Sequence, residues 1–308
     1  MRPAGQVAER LPNYGGQAVL EGVMMRGARA CAVAVRAPDQ RIVLEEQPLP
    51  AAYRGRLARL PFLRGLLILW DSLALGMRAL AFSANVQAGE ERPIQPAHMA
   101  ATMVVSFTFA IGLFFVLPAA AAAAAERFLG LAAGWAHLIE GLTRLSLLLA
   151  YLWAVGRMEE IRRVFAYHGA EHKTINAFEA GAPLTVESVA EHPREHTRCG
   201  TAFLLTLVIF SVVLFSLLPP MSFGLRMASR VIAVPLLAML AYEYIRFTAR
   251  WSSKPWMRPL IAPNLALQRL TTREPDAGMI EVALAAFAAM RQREGELQPA
   301  PPAAPTLS

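Results

Sequence analysis

The sequence predicts a mainly α-helical membrane protein: about four transmembrane helices, a small N-terminal β-hairpin or sheet, and cytoplasmic amphipathic helices. Three observations carry this. Of 308 residues, 55% are hydrophobic and only 17% charged, against about a quarter charged in soluble domains. The apolar residues gather into long runs almost free of charge, and a β-prone, glycine-rich stretch precedes them. Disordered and fibrous classes are excluded by the same composition.

The β element occupies Gln17 to Glu46. Ala30 to Arg36 and Arg41 to Glu46 are β-prone and flank Ala37-Pro-Asp-Gln40, a proline-bearing turn. Ahead of them, Gly15, Gly16, Gly22 and Gly27 surround a short apolar run that carries Glu21 and Arg26. Such spacing suits tight turns or the close approach of another element. Met1 to Tyr14 is mixed and polar, without the apolar core of a secretory signal, so no cleavable leader is expected.

Leu60 to Ser83 is apolar except for Arg64, Asp71 and Arg78, whose seven-residue spacing puts them on one stripe of a helix. A helix lying in the membrane interface or packed on the spans fits this pattern, with Arg54, Arg56 and Arg59 upstream to meet anionic head groups. A buried helix of a soluble domain is the alternative.

The first span is Met99 to Ala125, 27 residues without a charge, where about 20 cross the hydrocarbon core. Leu138 to Gly156 follows, interrupted by Glu140 and Arg144, which are spaced to pair on one helix face. Ala202 to Leu225 is uncharged and broken by Pro219-Pro220, and Val231 to Thr248 is a weaker fourth span. There Glu243 has Arg246 as its expected partner, while His98 and His137, at span ends, are expected to be interfacial. The second span is expected to continue as helix through Arg157 to Glu179.

Basic residues concentrate before the first span, between Arg157 and Arg198, and after Thr248. The positive-inside rule then puts both termini and the 157–198 loop on the cytoplasmic side of the inner membrane. Toward the C-terminus, Ile280, Leu284, Phe287 and Met290 recur at helical spacing, and Gln298 to Ser308, rich in Pro and Ala, is expected to be disordered. The expected organisation is a β element plus interfacial helix over 1–98 and a four-span unit over 99–250 with a cytoplasmic loop at 157–201. An amphipathic helical segment over 251–297 and a tail over 298–308 complete it.

The net charge is +7, and 28 of the 30 basic residues are Arg. They form no stripe interleaved with aromatics, so the expected partner is the lipid bilayer, with room for a membrane or cytoplasmic protein partner, and no nucleic acid. Two cysteines, Cys31 and Cys199, make neither a disulfide framework nor a CxxC pair.

Four of the six histidines, His168, His172, His192 and His196, fall within 29 residues of this loop. On a helix His168 and His172 lie one turn apart on one face, a recurrent grip for a metal, with Glu171 between them as base or acid. His168-Gly-Ala-Glu171-His172 has the His-x-x-Glu-His order of one metallopeptidase class, while a solvated helix face is the alternative reading. Gly169 and Ala170 leave the backbone bare for another element or a substrate. His196 and Cys199, returning just before the third span, are the candidates to complete the ligand set. A mixed His and Cys set favours zinc. His192 also makes a His-x-x-Glu-His with His196, but Pro193 argues against a continuous helical grip. Glu21, isolated among glycines, is a further candidate catalytic group beside Glu171.

Five stretches resemble the bacterial YqhQ-like family, membrane proteins without an established function that carry the label of predicted metal-dependent enzymes. They are Gly15 to Gly27, Tyr167 to Asn176, Arg198 to Phe203, Tyr242 to Arg246 and Leu267 to Pro275. The resemblance implies roles for Glu21, His168, Glu171, His172, His196 and Cys199. Two departures stand out: His196-Thr-Arg-Cys199 replaces a His-Pro-Arg-Cys pattern, and Asn264 replaces a glycine.

The expected function is that of a metal-dependent hydrolase, its divalent ion, zinc by the ligand set, held at the cytoplasmic face by His168, His172, Cys199 and His196. A non-enzymatic scaffold or assembly factor is the alternative. A di-iron oxidase is disfavoured by the histidine count, and a transporter by the lack of broken-helix repeats.

Overall fold

A computed structural model describes residues 14–50, 60–89, 96–219, 221–252 and 254–296. The Arg54, Arg56 and Arg59 cluster and the 298–308 tail lie outside the described residues. Strands β1 (Gly15–Val19), β2 (Gly22–Arg26), β3 (Ala30–Arg36) and β4 (Ile42–Pro48) form an antiparallel meander in the order β1-β2-β3-β4. The expected hairpin is β3–β4. The glycine-rich segment adds a second hairpin, whose two-residue turn holds Glu21 at φ 50° with Val19 opposite Gly22.

Helices follow: α1 (Leu63–Ala88), α2 (Pro96–Ile111), α3 (Leu117–Leu129), α4 (Ala133–Val155), α5 (Glu159–Glu179), α6 (Val186–Ala190), α7 (Thr201–Ser216), α8 (Phe223–Arg250), α9 (Arg258–Thr271) and α10 (Ala277–Glu296). The sheet is covered on both faces. Val23, Met25, Ala32 and Ala34 pack with Ile175 of α5 and with Ile280, Phe287 and Met290 of α10. Met24, Cys31, Val33 and Val35 pack with Leu75 and Ala79 of α1. Strand side chains alternate between faces, so two covered faces make β2 and β3 apolar at nearly every position.

Among the described residues four helices are long and apolar enough to cross a membrane: Leu63–Ala88, Ala100–Leu129, Gly134–Val155 and Gly224–Arg250. The number agrees with the sequence reading, but the membership by length differs, because α1 qualifies and α7, with 16 residues, does not. At a rise of about 1.5 Å per residue α7 spans about 24 Å. Packing separates the two. Helix α7 lies between α4 and α8, whereas α1 meets α8 at Gly65 and Tyr242 and then runs along the sheet, with Gly76 against Gln17 and Gln87 Nε2 donating to the Arg36 carbonyl. Its other face turns Trp70 outward, 68% exposed.

The bundle holds a buried ionic network. Arg230 of α8 donates twice to Glu140 of α4, at 2.9 and 2.7 Å, and Arg144 donates to the same carboxylate at 2.9 Å. Arg144 also donates to the Phe114 carbonyl at 2.9 Å. Phe114 lies in the π-helical turn Gly112–Val116 joining α2 to α3, and Pro118, four residues on, has no N–H to offer it. An arginine thereby supplies the bond that the helix lacks, which matters where no water is at hand.

Two expectations are corrected. The second span does not run unbroken to Glu179: α4 ends at Val155, and α5 restarts after extended Met158, with Glu159 and Glu160 in its first turn. Acidic residues favour a helix N-terminus, so the chain re-aims there and α5 leaves the bundle to pack on the sheet. Glu243 pairs with Arg64 of α1, whose Nε donates at 2.7 Å, rather than with Arg246. His137, in the first turns of α4, is buried within the bundle.

Candidate functional site

Helix α5 is the platform, and its residues fold three other segments onto one end of the bundle. Asn176 Nδ2 donates to the carbonyls of Pro193 and Glu195 at 2.7 and 3.0 Å, and Lys173 Nζ donates to that of Ala190 at 2.7 Å. These bonds hold the 190–199 segment against α5. Gln268 of α9 exchanges bonds with the backbone of His196, accepting at 2.8 Å and donating at 2.9 Å. The chain after α9 crosses α5 closely: Arg273 N donates to the Phe165 carbonyl at 2.8 Å. A Cβ on Gly169 would collide with the Arg273 carbonyl. The bare backbone at Gly169 therefore admits another element, as its sequence context suggested.

These staples bring His168, His172 and Cys199 together, one donor atom from each lying within 4.8 Å of the others. Cys199 Sγ is 3.3 Å from His168 Nε2, and the two imidazole centroids are 4.3 Å apart. The Nδ1 of His168 contacts the Thr271 carbonyl at 2.9 Å, and that of His172 contacts the Arg194 carbonyl at 2.6 Å. A carbonyl only accepts, so both Nδ1 atoms carry hydrogen and each neutral ring presents an Nε2 lone pair. Burial pulls the His172 pKa down, which favours that neutral form. Carbonyl-anchored imidazoles beside a sulfur are groups that can hold a metal ion. The 3.3 Å spacing is near the edge of a tetrahedral zinc site, about 3.3–3.8 Å from bonds of about 2.0–2.3 Å. The residues present fit zinc.

Glu171, between the two histidines, is 4% exposed. It accepts the Gly16 N–H of β1, while its Oε2 has no hydrogen-bond partner. Burial pushes its pKa up to about 7, against the opposing influences of His168 and the Gly16 N–H. A Cβ on Gly16 would lie 2.9 Å from Glu171 Cδ, so the glycine is what lets β1 come this near. His168, Glu171, His172, His196 and Cys199 all line one cavity of about 510 Å³, walled otherwise mostly by apolar groups.

His196 stands at the rim of the group rather than in it. Its ring centroid is 5.8 Å from that of His172, and its Nε2 faces Glu179 at 3.4 Å. Glu179 also receives Arg198, and its pKa is lowered because His196 and Arg198 outweigh the upward pull of burial. His192 binds the Ser188 carbonyl through Nδ1 and is not in the group. Glu21 is held at the tip of the β1–β2 hairpin by both Nε and Nη2 of Arg163, each at 2.5 Å, and by Tyr167 Oη at 3.3 Å. It does not line the cavity.

Sequence reasoning missed Arg163, Gln268 and the carbonyls of Arg194 and Thr271. Gln268 and Thr271 fall in a stretch singled out only by resemblance, and no local pattern marks a backbone carbonyl as a histidine anchor. The family described as a protein of unknown function, DUF1385, matches residues 60–293. The uncharacterized protein YqhQ of Bacillus subtilis (strain 168) is 33% identical over 293 residues, covering 90% of this chain and 91% of that protein. No solved structure matches the chain. With that length matched, this multi-pass helical chain belongs to the DUF1385 family.

Proposed function

We propose that the protein is a divalent-metal-dependent hydrolase of the cytoplasmic membrane, with zinc held by His168, His172 and Cys199. One observation carries this reading: two imidazoles, His172 buried and His168 half-buried, each fixed through Nδ1 by a carbonyl, converge with a cysteine sulfur beside a buried carboxylate whose Oε2 has no hydrogen-bond partner among the described residues. When bound there, a divalent ion supplies Lewis acidity toward water and toward a substrate oxygen.

Glu171 is the proton carrier. Its Oε2 takes a proton from the attacking water and returns it to the leaving group as the substrate bond breaks. The Gly16 N–H holds the carboxylate, which leaves Oε2 without a hydrogen-bond partner among the described residues. His196, turned toward Glu179, stands outside the three-residue group that would hold the ion. Glu21 acts through Arg163 and Tyr167 to position α5 rather than in the chemistry. The site end of the bundle faces the cytoplasm in this reading, since most basic residues near the span ends lie on that side.

Metal analysis of the detergent-purified chain tests it, with one zinc per chain expected in the wild type and in Glu171→Gln, and little in His172→Ala. Glu171→Gln should fold and keep metal but fail to complement a deletion strain. Full complementation by that variant would support a scaffold instead.

A further inference from the structure

A second cavity of about 580 Å³ adjoins the candidate metal centre, and Tyr14, Gly15, Arg26 and Arg198 line both. Its wall continues onto the last turns of α8 with Arg246 and Arg250, so four guanidinium groups face it, and no acidic residue lines it among the described residues. Asp71 pairs with Arg26, and Glu179 with Arg198. Among the described residues Arg246 and Arg250 have no ion pair, which leaves the cavity with a surplus of about two positive charges. Two buried N–H donors, Arg26 Nε and Arg198 Nε, belong to the shared arginines and have no hydrogen-bond partner. A buried donor without an acceptor costs free energy, which adds to the demand for anionic oxygens at this wall. Planar guanidinium groups match the oxygens of a phosphate.

The position is equally specific. Arg246 and Arg250 close a helix of membrane-spanning length, and Trp251 follows, with Arg250 over its ring. Tryptophan at a helix end marks the head-group level of a bilayer. The cationic cavity thus opens where head groups lie, and the metal-site cavity continues inward from it.

We propose that this four-arginine cavity binds a phosphate group of the substrate, so that the hydrolase acts on a phosphate-bearing anion presented at the membrane surface. The inference rests on the hydrolase reading only for the word substrate; the anion site itself stands on the arginines. The phosphate arrives either on a lipid or from solution, and the chemistry that recognises it is the same.

Native mass spectrometry of the full-length chain in detergent tests this with two probes, phosphatidic acid and inorganic pyrophosphate, and with phosphatidylcholine as the zwitterionic control. The wild type should retain one phosphatidic acid or one pyrophosphate per chain in preference to the control, and the probe that binds identifies the source. Arg246→Ala/Arg250→Ala should bind at least tenfold more weakly, and Arg246→Lys/Arg250→Lys should recover most of the loss, which separates lost charge from lost folding. Equal binding by the alanine variant, or no preference over phosphatidylcholine, overturns the proposal. Zinc content of the same samples keeps the two readings apart. Stoichiometric zinc without anion binding removes the phosphate site alone, and anion binding without zinc removes the metal reading alone.

Discussion

The carbonyl of Arg273 occupies the space that a side chain on Gly169 would need, one residue past His168. The same crossing places the Thr271 carbonyl 2.9 Å from His168 Nδ1. Gly169→Ala should therefore push the 271–275 segment away and release the ring from its anchor. Loss of such an outer anchor costs about 10- to 100-fold in metal affinity. Competition of the purified variant against a zinc chelator should show a shift of that size, with far-UV circular dichroism little changed.

The two cysteines should differ in reactivity. Cys31 lies inside the sheet core, where burial, partly opposed by Arg26, pushes its thiol pKa up to about 11. The thiolate is the reactive form, so at pH 8 only about one Cys31 in a thousand is ionised. Because the shift is upward, reactivity should rise with pH across the alkaline range rather than level off near pH 9. Cys199 borders the 510 Å³ cavity. Peptide mass mapping after brief maleimide treatment at pH 8 should find Cys199 modified in chelator-treated protein and protected after zinc is restored, with Cys31 unmodified in both.

The Glu140 carboxylate is the only anion bonded to Arg144 and Arg230 among the described residues. Glu140→Gln leaves two buried cations without a counter-charge, a loss of about 3–5 kcal/mol. Thermal unfolding in detergent should register it as a marked fall in Tm. Glu140→Met/Arg144→Met/Arg230→Met, which removes all three buried charges together, should recover most of that fall.

Much of the fold was legible because its signals are local. The uncharged run from Met99 to Ala125 announces a span whatever it packs against, and the β3–β4 turn is written in four consecutive residues. The i, i+4 spacing of His168 and His172 placed them on one face before any contact was known. Glu140 and Arg144 were legible for the same reason. Where the sequence misled, the decisive partner was distant. Arg64, 179 residues from Glu243, outcompeted Arg246, and Gly156 to Met158 broke a helix that the run of helix formers had implied.

Residue order alone therefore determined the class, a helical membrane protein with a small sheet, and the identities of the His168, Glu171 and His172 trio. Tertiary structure decided what the trio faces. It brought Cys199 to 3.3 Å from His168, turned His196 toward Glu179, kept Glu21 on Arg163 and set Gly16 against Glu171. The physical reason is the range of the forces. Hydrophobic periodicity and helix capping act over a few residues, whereas anchoring an imbalanced polar group in a buried site depends on whichever carbonyl or carboxylate the folded chain brings within about 3 Å.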